Sequence, residues 1–456
     1  MEHIKIEQNS NVEVVDSNII HKLAEEAQDC DASSNMTGNL QTTKAYEGDV
    51  NFLTGKFPGL QINATQGLYV SFEDKEVERV LATQFGDGNG LTTTDILLIT
   101  TLNGYNNAAT LKGNTDIVSF DEFARFVNCT KILNGAFQND SNLERITLPS
   151  TLTVISNDVF NNCAKLQSIN LDNVEEITGN SFVNCTSLAI DCATMKKLTR
   201  VEGFLSTLIY GELDMPLLTA MSAYCFQGCG NITKVKCLGK LSTIPQGAFT
   251  KYPAQQMALT EVYLPYECTE IGAGAFQGCA NLTTIKQYNK SIDQYAEGES
   301  PVFTDIGARI TSIKNNAFNG TSISGEYTFP NITTLEAGAF SGSKVTKLDF
   351  TGSTFTTLGG YFTSGSIYIQ KVVLPDTIAS IGDNCLRGCP NLEYLKVLAT
   401  TPPSVGSGLL SAIANPQFRI YVPGNSVTSY QTASGWSDWS SRIFPLSQFS
   451  TDFPND

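Results

Sequence analysis

The stretch Ala275-Phe276-Gln277-Gly278-Cys279-Ala280-Asn281-Leu282-Thr283-Thr284-Ile285 is one copy of a unit that recurs along the chain. The unit is Ala-Phe followed by three residues, often a Cys, and then a Leu-x-x-Ile-x-Leu-Pro run. Most successive aromatic positions are 22 to 24 residues apart, a period typical of one solenoid coil per repeat. The equivalent positions are Phe137, Phe160, Phe182, Phe204, Phe226, Phe249, Phe276, Phe318, Phe340 and Phe362, with Leu386 in the last place.

The Leu-x-x-Ile-x-Leu-Pro run predicts a short strand with inward apolar side chains, as from Leu143 to Pro149. The strand should end at the proline, which has no backbone N–H to donate. Stacked copies then give a parallel sheet on one face of an α/β repeat fold. The step from Phe276 to Phe318 is 42 residues, so one coil is either degenerate or replaced by an insertion. We expect a surface loop over Tyr288 to Pro301.

Half of the twelve cysteines share one place in the repeat, three residues after the aromatic position. Such a set could bind metal or form bridges, but the x3 spacing of Cys225 and Cys229 does not match the CxxC pattern of zinc sites. Free cysteine is also among the most buried residues. We therefore predict a column of reduced, buried thiols at Cys129, Cys163, Cys185, Cys229, Cys279 and Cys389.

Composition excludes several classes of function. The 29 basic and 45 acidic residues give a formal charge of −16, which lacks the basic excess that nucleic-acid binding requires. No apolar run approaches the length of a membrane span, and the N-terminus lacks the apolar core of a signal peptide. The histidines are His3 and His21, so the repeats cannot supply a Ser-His-Asp or Cys-His arrangement. We predict no enzyme activity, no cofactor and no metal.

The repeat unit, above all the stretch from Ala275 to Ile285, resembles the BspA-like, or Treponema pallidum type, leucine-rich repeats. The resemblance covers roughly residues 119–400 and implies a leucine-rich-repeat solenoid. Residues 401–456, which include Ile420-Tyr421-Val422-Pro423 and Ser434-Gly435-Trp436, look like the family's C-terminal cap.

Residues 66–118 are similar to the helical lead-in that often precedes these repeats, and in many relatives this lead-in carries a calcium-loop-like run. Here Phe85 stands where a first ligand is needed, and Ile96 stands where a bidentate glutamate is needed. We interpret the Gly86-x-Gly88-x-Gly90 run instead as a tight turn between two helices. Residues 1–65 lie outside the repeat, with a predicted helix from Val15 to Ala27 capped by Asp16 or Ser17, and are expected to be an attachment segment.

The resemblance implies recognition at an exterior surface, with a protein or glycan surface as the partner. We expect a virion surface or fibre component, attached to other virion proteins through residues 1–65, because the chain starts at Met1 without a visible signal. The alternative is a secreted or cell-surface adhesin of a gut anaerobe, and a homo-oligomer is compatible with both.

The candidate binding residues are outward positions of the predicted strands, which form a basic strip on an acidic chain. This strip could bind an anionic glycan or an acidic partner surface. Alternatively, the lysines could merely solvate an exposed sheet. The residues are Arg145, Lys234, Lys236, Tyr263, Lys286, Lys347, Lys371, Tyr394 and Lys396.

Overall fold

The computed structural model describes residues 13–14, 17–28, 38–42, 44–64, 67–88, 90–103, 111–251, 256–296 and 299–454. It contains two compact units, Met1–Asn173 and Val174–Asp456, which are described separately below. Among the described residues, no helix has the length and apolar character needed to cross a membrane.

The first unit begins with parallel strands joined by helices. Its helices are α1 Ser17–Gln28, α2 Glu47–Lys56, α3 Lys75–Phe85 and α4 Thr93–Leu98, followed by a 3-10 helix at Asp121–Arg125. Its strands are β1 Glu13–Val14, β2 Gly38–Thr42, β3 Ala45–Tyr46, β4 Leu60–Ala64, β5 Leu68–Tyr69, β6 Thr101–Leu102, β7 Ser119–Phe120, β8 Lys131–Ile132, β9 Arg145–Ile146 and β10 Val154–Ile155.

The N-terminal segment, which we expect to lie outside the repeat, contains parallel strands of its own in its described part. Strands β1, β2 and β4 form a parallel sheet, and β3 pairs with β5 in parallel. Paired positions such as Leu40 and Ile62 are 22 residues apart, close to the period of the later repeats. Helices α1 and α2 pack their apolar residues, among them Ile20 and Leu53, into the core of this segment. The segment is therefore coil-like although its sequence lacks the repeat signature. Helix α1 begins at Ser17, and the predicted cap Asp16 lies outside the described residues.

The lead-in has the predicted arrangement of two helices around a glycine-rich turn. Helix α3 ends at Phe85, and α4 begins at Thr93 after a capping box made by Thr92 and Asp95. The Asp87 carboxylate accepts hydrogen bonds from Lys44 Nζ at 2.5 Å and from the Tyr69 hydroxyl at 2.9 Å. The Asp87 carboxylate thus forms an ion pair with Lys44, which agrees with the interpretation of the segment as a turn.

The second unit is built from short parallel strands. Its α-helices are α5 Val427–Thr432 and α6 Leu446–Asp452, and its 3-10 helices are at Cys192–Met195, Ile292–Gln294, Ile306–Ala308, Gly424–Ser426 and Ser437–Arg442. Its strands are β11 Glu176–Ile177, β12 Arg200–Val201, β13 Tyr210–Asp214, β14 Ala220–Met221, β15 Asn231–Cys237, β16 Thr243–Ile244, β17 Glu261–Leu264, β18 Glu270–Ile271, β19 Thr284–Tyr288, β20 Phe303–Asp305, β21 Ser312–Ile313, β22 Ser324–Thr328, β23 Thr334–Leu335, β24 Lys344–Asp349, β25 Thr357–Leu358, β26 Lys371–Leu374, β27 Ser380–Ile381, β28 Tyr394–Val397, β29 Ser404–Val405, β30 Arg419–Val422 and β31 Ile443–Pro445.

Each coil of the second unit contributes to two kinds of sheet. The longer strands form sheet 1, in the order β13-β15-β17-β19-β20, and sheet 2, in the order β22-β24-β26-β28-β30-β31. Seven of the two-residue strands form sheet 3, in the order β16-β18-β21-β23-β25-β27-β29. Strands β17 and β26 end directly before Pro265 and Pro375, as the sequence predicts.

The ladder of aromatic residues forms the spine of the core. The ladder phenylalanines are fully buried. From Phe182 to Phe318 the successive rings stack within 8° of parallel. In the second unit the centroid separations are 5.7 Å for Phe226 on Phe249, 5.6 Å for Phe249 on Phe276 and 5.7 Å for Phe276 on Phe318. Phe276 therefore stacks directly on Phe318 despite the 42-residue step between them. The extra residues are an insertion, as predicted, and its strand β20 returns antiparallel to β19.

One ladder assignment is wrong by one residue. In the coils from Phe182 to Phe318, the backbone N–H of the ladder residue donates to the carbonyl of the residue before the next ladder position, as Phe318 does to Ala339. By the same pattern Phe340 donates to Phe362 and Thr363 donates to Cys385, so Thr363 occupies the ladder position. The Phe362 ring instead meets Phe340 edge-on at 84°. The spacing could not distinguish the two, because both lie within the range that the other coils use.

The repeat-position cysteines are buried in the core, as predicted. In three coils the thiol donates to the carbonyl of the preceding ladder phenylalanine, from Cys163 to Phe137, from Cys229 to Phe204 and from Cys279 to Phe249 at 3.0 to 3.1 Å. Ser366 makes the same bond to Phe340 through its hydroxyl. The column thus joins neighbouring coils by S–H and O–H donors, in addition to filling space.

Candidate functional site

The nine predicted binding residues all lie on strands, which belong to three different sheets. Arg145 is on β9 in the first unit, and the others belong to the second unit. Sheet 1 carries Lys234, Lys236, Tyr263 and Lys286, and sheet 2 carries Lys347, Lys371, Tyr394 and Lys396.

Arg145 binds two carboxylates of its own unit. Its Nη2 lies 2.6 Å from Glu73, and its Nε lies 2.5 Å from Asp121. These hydrogen bonds, led by the one to Glu73, raise the pKa of the guanidinium still further above its ordinary value. The geometry gives Arg145 a local role in holding the lead-in against the first repeats.

On sheet 1, lysines and carboxylates alternate across neighbouring strands. The parallel register places Glu212 beside Lys234 and Lys234 beside Glu261. The Lys234 ammonium lies 3.0 Å from Glu261, and its hydrogen bond to that carboxylate raises the lysine pKa and lowers the glutamate pKa. Lys236 lies 3.4 Å from Asp214. The surface therefore has interleaved charges and little net positive field.

The insertion adds aromatic surface to the far end of sheet 1. Phe303 on β20 contacts Tyr263 at a centroid distance of 4.2 Å and Tyr288 at 4.9 Å. Tyr263 and Phe303 are half-buried, and Lys286 on the strand between them is exposed. This end of the sheet thus combines two accessible rings with an exposed cation.

On sheet 2, two of the predicted lysines surround one glutamate. Glu326 on β22 lies 4.0 Å from Lys347 and 3.7 Å from Lys371, and Lys347 also lies 3.8 Å from Asp349. The register pairs Glu326 with Lys347 and Lys347 with Lys371. The positive charges of these lysines are therefore compensated by neighbouring carboxylates, as on sheet 1.

Tyr394 is not the outward, accessible residue that the sequence predicts. It is fully buried, because helix α6 lies over it and places Phe449 at 4.9 Å and Phe453 at 5.0 Å from its ring. The Lys396 ammonium lies 3.1 Å from the centroid of Phe449. The strand position was predicted correctly, but a short helix far away in sequence covers it.

Sequence reasoning missed the carboxylates that compensate the lysines. Glu212 precedes Lys234 by 22 residues, and Glu326 precedes Lys347 by 21, which is one coil in each case. Residues one coil apart stand side by side on neighbouring strands. The repeat spacing itself was therefore a usable signal for these pairs.

The two sheets begin with the same local structure. Strand β13 contains Gly211-Glu212 and strand β22 contains Gly325-Glu326, both glycines have a φ of 96°, and each strand shifts register at that step. A positive φ favours glycine, since other residues would be strained there. A bulged strand with a Gly-Glu pair thus begins both sheet 1 and sheet 2. Its glutamate lies beside a lysine of the next strand, Lys234 in sheet 1 and Lys347 in sheet 2.

The described residues contain no cluster of three or more histidine, cysteine or acidic side chains arranged to hold a metal ion. Burial raises the pKa of the Cys229 thiol to about 11 and of the Cys279 thiol to about 12. These thiols are protonated at neutral pH, whereas thiol reactivity requires the thiolate.

Comparison with known proteins gives one family match and several structural likenesses. The family model described as the BspA type leucine rich repeat region matches residues 116–203, 212–300 and 297–402. No curated protein matches the chain.

Solved structures with a similar fold come from several bacteria. A leucine rich cell surface protein from Faecalibacterium prausnitzii is 20% identical, with 69% of this chain and 86% of that chain covered and a TM-score of 0.36. A leucine-rich repeat protein from Bacteroides ovatus is 13% identical, with 76% and 92% covered and a TM-score of 0.39. The T. pallidum leucine rich repeat protein is 16% identical, with 64% and 78% covered and a TM-score of 0.19.

Proposed function

Because the chain belongs to the BspA-type leucine-rich-repeat family, we propose that it is a cell-surface recognition protein of the adhesin type, which binds a protein partner through the outward faces of sheets 1 and 2. Proteins with this repeat are generally non-enzymatic recognition proteins, and no catalytic family is indicated. The findings support the adhesin alternative better than a virion component, for which the matched family offers nothing specific.

The observation that carries the proposal is the pattern of charge on sheet 1. Lys234 lies between Glu212 and Glu261, so an approaching partner meets both signs at spacings of one strand. A polyanion would favour a surface with uncompensated positive charge. A protein surface can match alternating charges, and the half-buried ring of Tyr263 is of a type enriched at protein interfaces.

The test is a charge swap that keeps the ion pair. Lys234→Glu combined with Glu261→Lys leaves the net charge unchanged but inverts the pattern that the partner meets. Beads coated with the chain should adhere to epithelial cells, and the swapped chain should adhere at least tenfold less well. Adhesion should also fall as salt rises, because the Debye length is about 10 Å at 0.1 M ionic strength.

A broader variant tests the predicted lysines together. Lys234, Lys236 and Lys347 changed to Glu should abolish adhesion, whereas the matched reversal of exposed Lys22, Lys165 and Lys196 should leave it intact. Protease treatment of the cells should remove adhesion, and glycosidase treatment should not. Undiminished adhesion by both the swap and the triple variant at low salt would refute the proposed surface.

A further inference from the structure

Helix α6 covers part of the strand face that is proposed to bind a partner. Its Phe449 packs edge-on against Tyr394 on β28 and Tyr421 on β30, with centroid distances of 4.9 and 5.1 Å. Val373 on β26 belongs to the same cluster. The outward side of three consecutive strands is thus occupied by a segment of the chain itself.

Polar contacts fix the position of the helix on this face. The Tyr421 hydroxyl donates to the Asp452 carboxylate at 2.6 Å, and Arg419 forms an ion pair with the same carboxylate. The Lys396 ammonium lies over the Phe449 ring. The face therefore recognises an aromatic ring and, three residues later, a carboxylate.

The attachment of α6 is narrow. Phe449 is the buried residue of the helix, whereas Leu446, Asp452 and the following Phe453 are half-buried and Ser447 is exposed. A seven-residue helix has little intrinsic stability in water, so its contacts with the strands must hold it in place. Leu446 and Phe453 also pack against the cluster, but only Phe449 is buried, so the contact that holds α6 is small enough for the segment to leave the face while the strands persist.

Sheet 1 supplies a matched comparison. Lys286 follows the ladder residue Phe276 by ten residues, as Lys396 follows Leu386. Among the described residues no helix lies over Lys286, which is exposed, whereas Lys396 is half-buried beneath Phe449. The stacked strands thus do not require a covering helix at this position of the coil.

We propose that α6 is an exchangeable intramolecular ligand, and that the face formed by Tyr394, Tyr421, Lys396 and Arg419 binds a partner segment of the same chemistry. That segment is a short amphipathic helix with an aromatic residue followed three residues later by a carboxylate, as in Phe449-Ser450-Thr451-Asp452. The inference deepens the proposed function by naming a partner class for one part of the face. Tyrosine and arginine are also among the residues enriched at the positions that dominate binding at protein interfaces.

The test uses the chain shortened to residues 1–445 and a labelled peptide of residues 446–454. The peptide should bind the shortened chain and should bind the full chain at least tenfold less well, because α6 already fills the face. Phe449→Ala in the peptide should weaken binding at least tenfold. Lys396→Ala in the shortened chain should weaken it, whereas Lys286→Ala should have no effect.

A second measurement covers the case in which the shortened chain does not fold. In the full chain, hydrogen exchange of the α6 amides should proceed by local opening, much faster than exchange of the β28 and β30 amides. Equal protection of α6 and β30 would show an integral cap and overturn the proposal. If the Phe449→Ala peptide bound the shortened chain as tightly as the unchanged peptide, the proposal would be overturned as well.

These outcomes are independent of the cell-adhesion test, because no natural partner is used. The chain could fail to adhere to cells while the peptide still binds the shortened chain, or it could adhere to cells while the peptide fails to bind. Dimers of the full chain that disappear in the Phe449→Ala variant would support exchange and would identify a second copy as the source of the segment.

Discussion

At the scale of single residues, Phe276 tests the ladder most directly, since its ring lies between Phe249 at 5.6 Å and Phe318 at 5.7 Å. We predict that Phe276→Ala lowers the free energy of unfolding by about 3 to 5 kcal/mol, because it leaves a cavity between two fixed rings. Calorimetry should show the loss. The neighbouring Gln277→Ala is the control, and an equally small shift in both variants would contradict the ladder.

The buried thiols predict a specific sensitivity to alkali. Burial raises the pKa of Cys279 from 9.0 to about 12, so its contribution to stability is complete below pH 9 and is lost as the pH rises towards 12. Between pH 8 and 10 the thiol should account for a loss of about 1 kcal/mol in the free energy of unfolding.

Cys279→Ser separates this effect from the titration of other groups. Serine keeps a donor for the Phe249 carbonyl, as Ser366 does for Phe340, but does not ionise in this range. Urea unfolding of the two chains at pH 8 and pH 10 should therefore show a smaller decline for the serine variant. Parallel declines would mean that Cys279 already titrates at its ordinary pKa in the folded chain.

At the scale of elements, helices α1 and α2 are joined by a titratable contact. His21 Nδ1 lies 2.8 Å from the Asp49 carboxylate, and this hydrogen bond raises the pKa of the histidine above 6.5. A raised histidine pKa adds stability that is complete below pH 6.5 and is lost as the pH passes through the folded-state value. We predict that α1 is held more firmly at pH 6 than at pH 8.

Hydrogen exchange of the α1 amides, corrected for the intrinsic effect of pH, measures this difference. His21→Asn should remove it, and Lys22→Asn on the same helix should preserve it. An unchanged pH dependence in the His21 variant would assign the effect to another group.

At the scale of the whole molecule, the period of the repeat predicted most of the second unit. The coil spacing, the strand ends at proline, the buried cysteines and the insertion after Tyr288 all follow from a pattern that each coil repeats. Such features are local, or involve residues one coil apart, so a single sequence contains them.

The features that the sequence did not predict depend on contacts outside that pattern. Phe449 covers Tyr394 although the two residues are 55 positions apart in the sequence. Thr363, and not Phe362, occupies the ladder position because of the backbone hydrogen bonds between coils. The parallel strands before residue 65 use Leu40 and Ile62 without the aromatic and cysteine signature. Each case rests on geometry that residue types alone do not specify.

The insertion also has a practical consequence for protein engineering. Because Phe276 stacks on Phe318 and β18 pairs with β21, the coils on either side of residues 289–302 contact each other directly. Doubling the length of a flexible loop costs only about 0.6 kcal/mol. This segment is therefore a suitable graft point, where a foreign epitope or reporter could replace the natural loop while the coils on both sides keep their register.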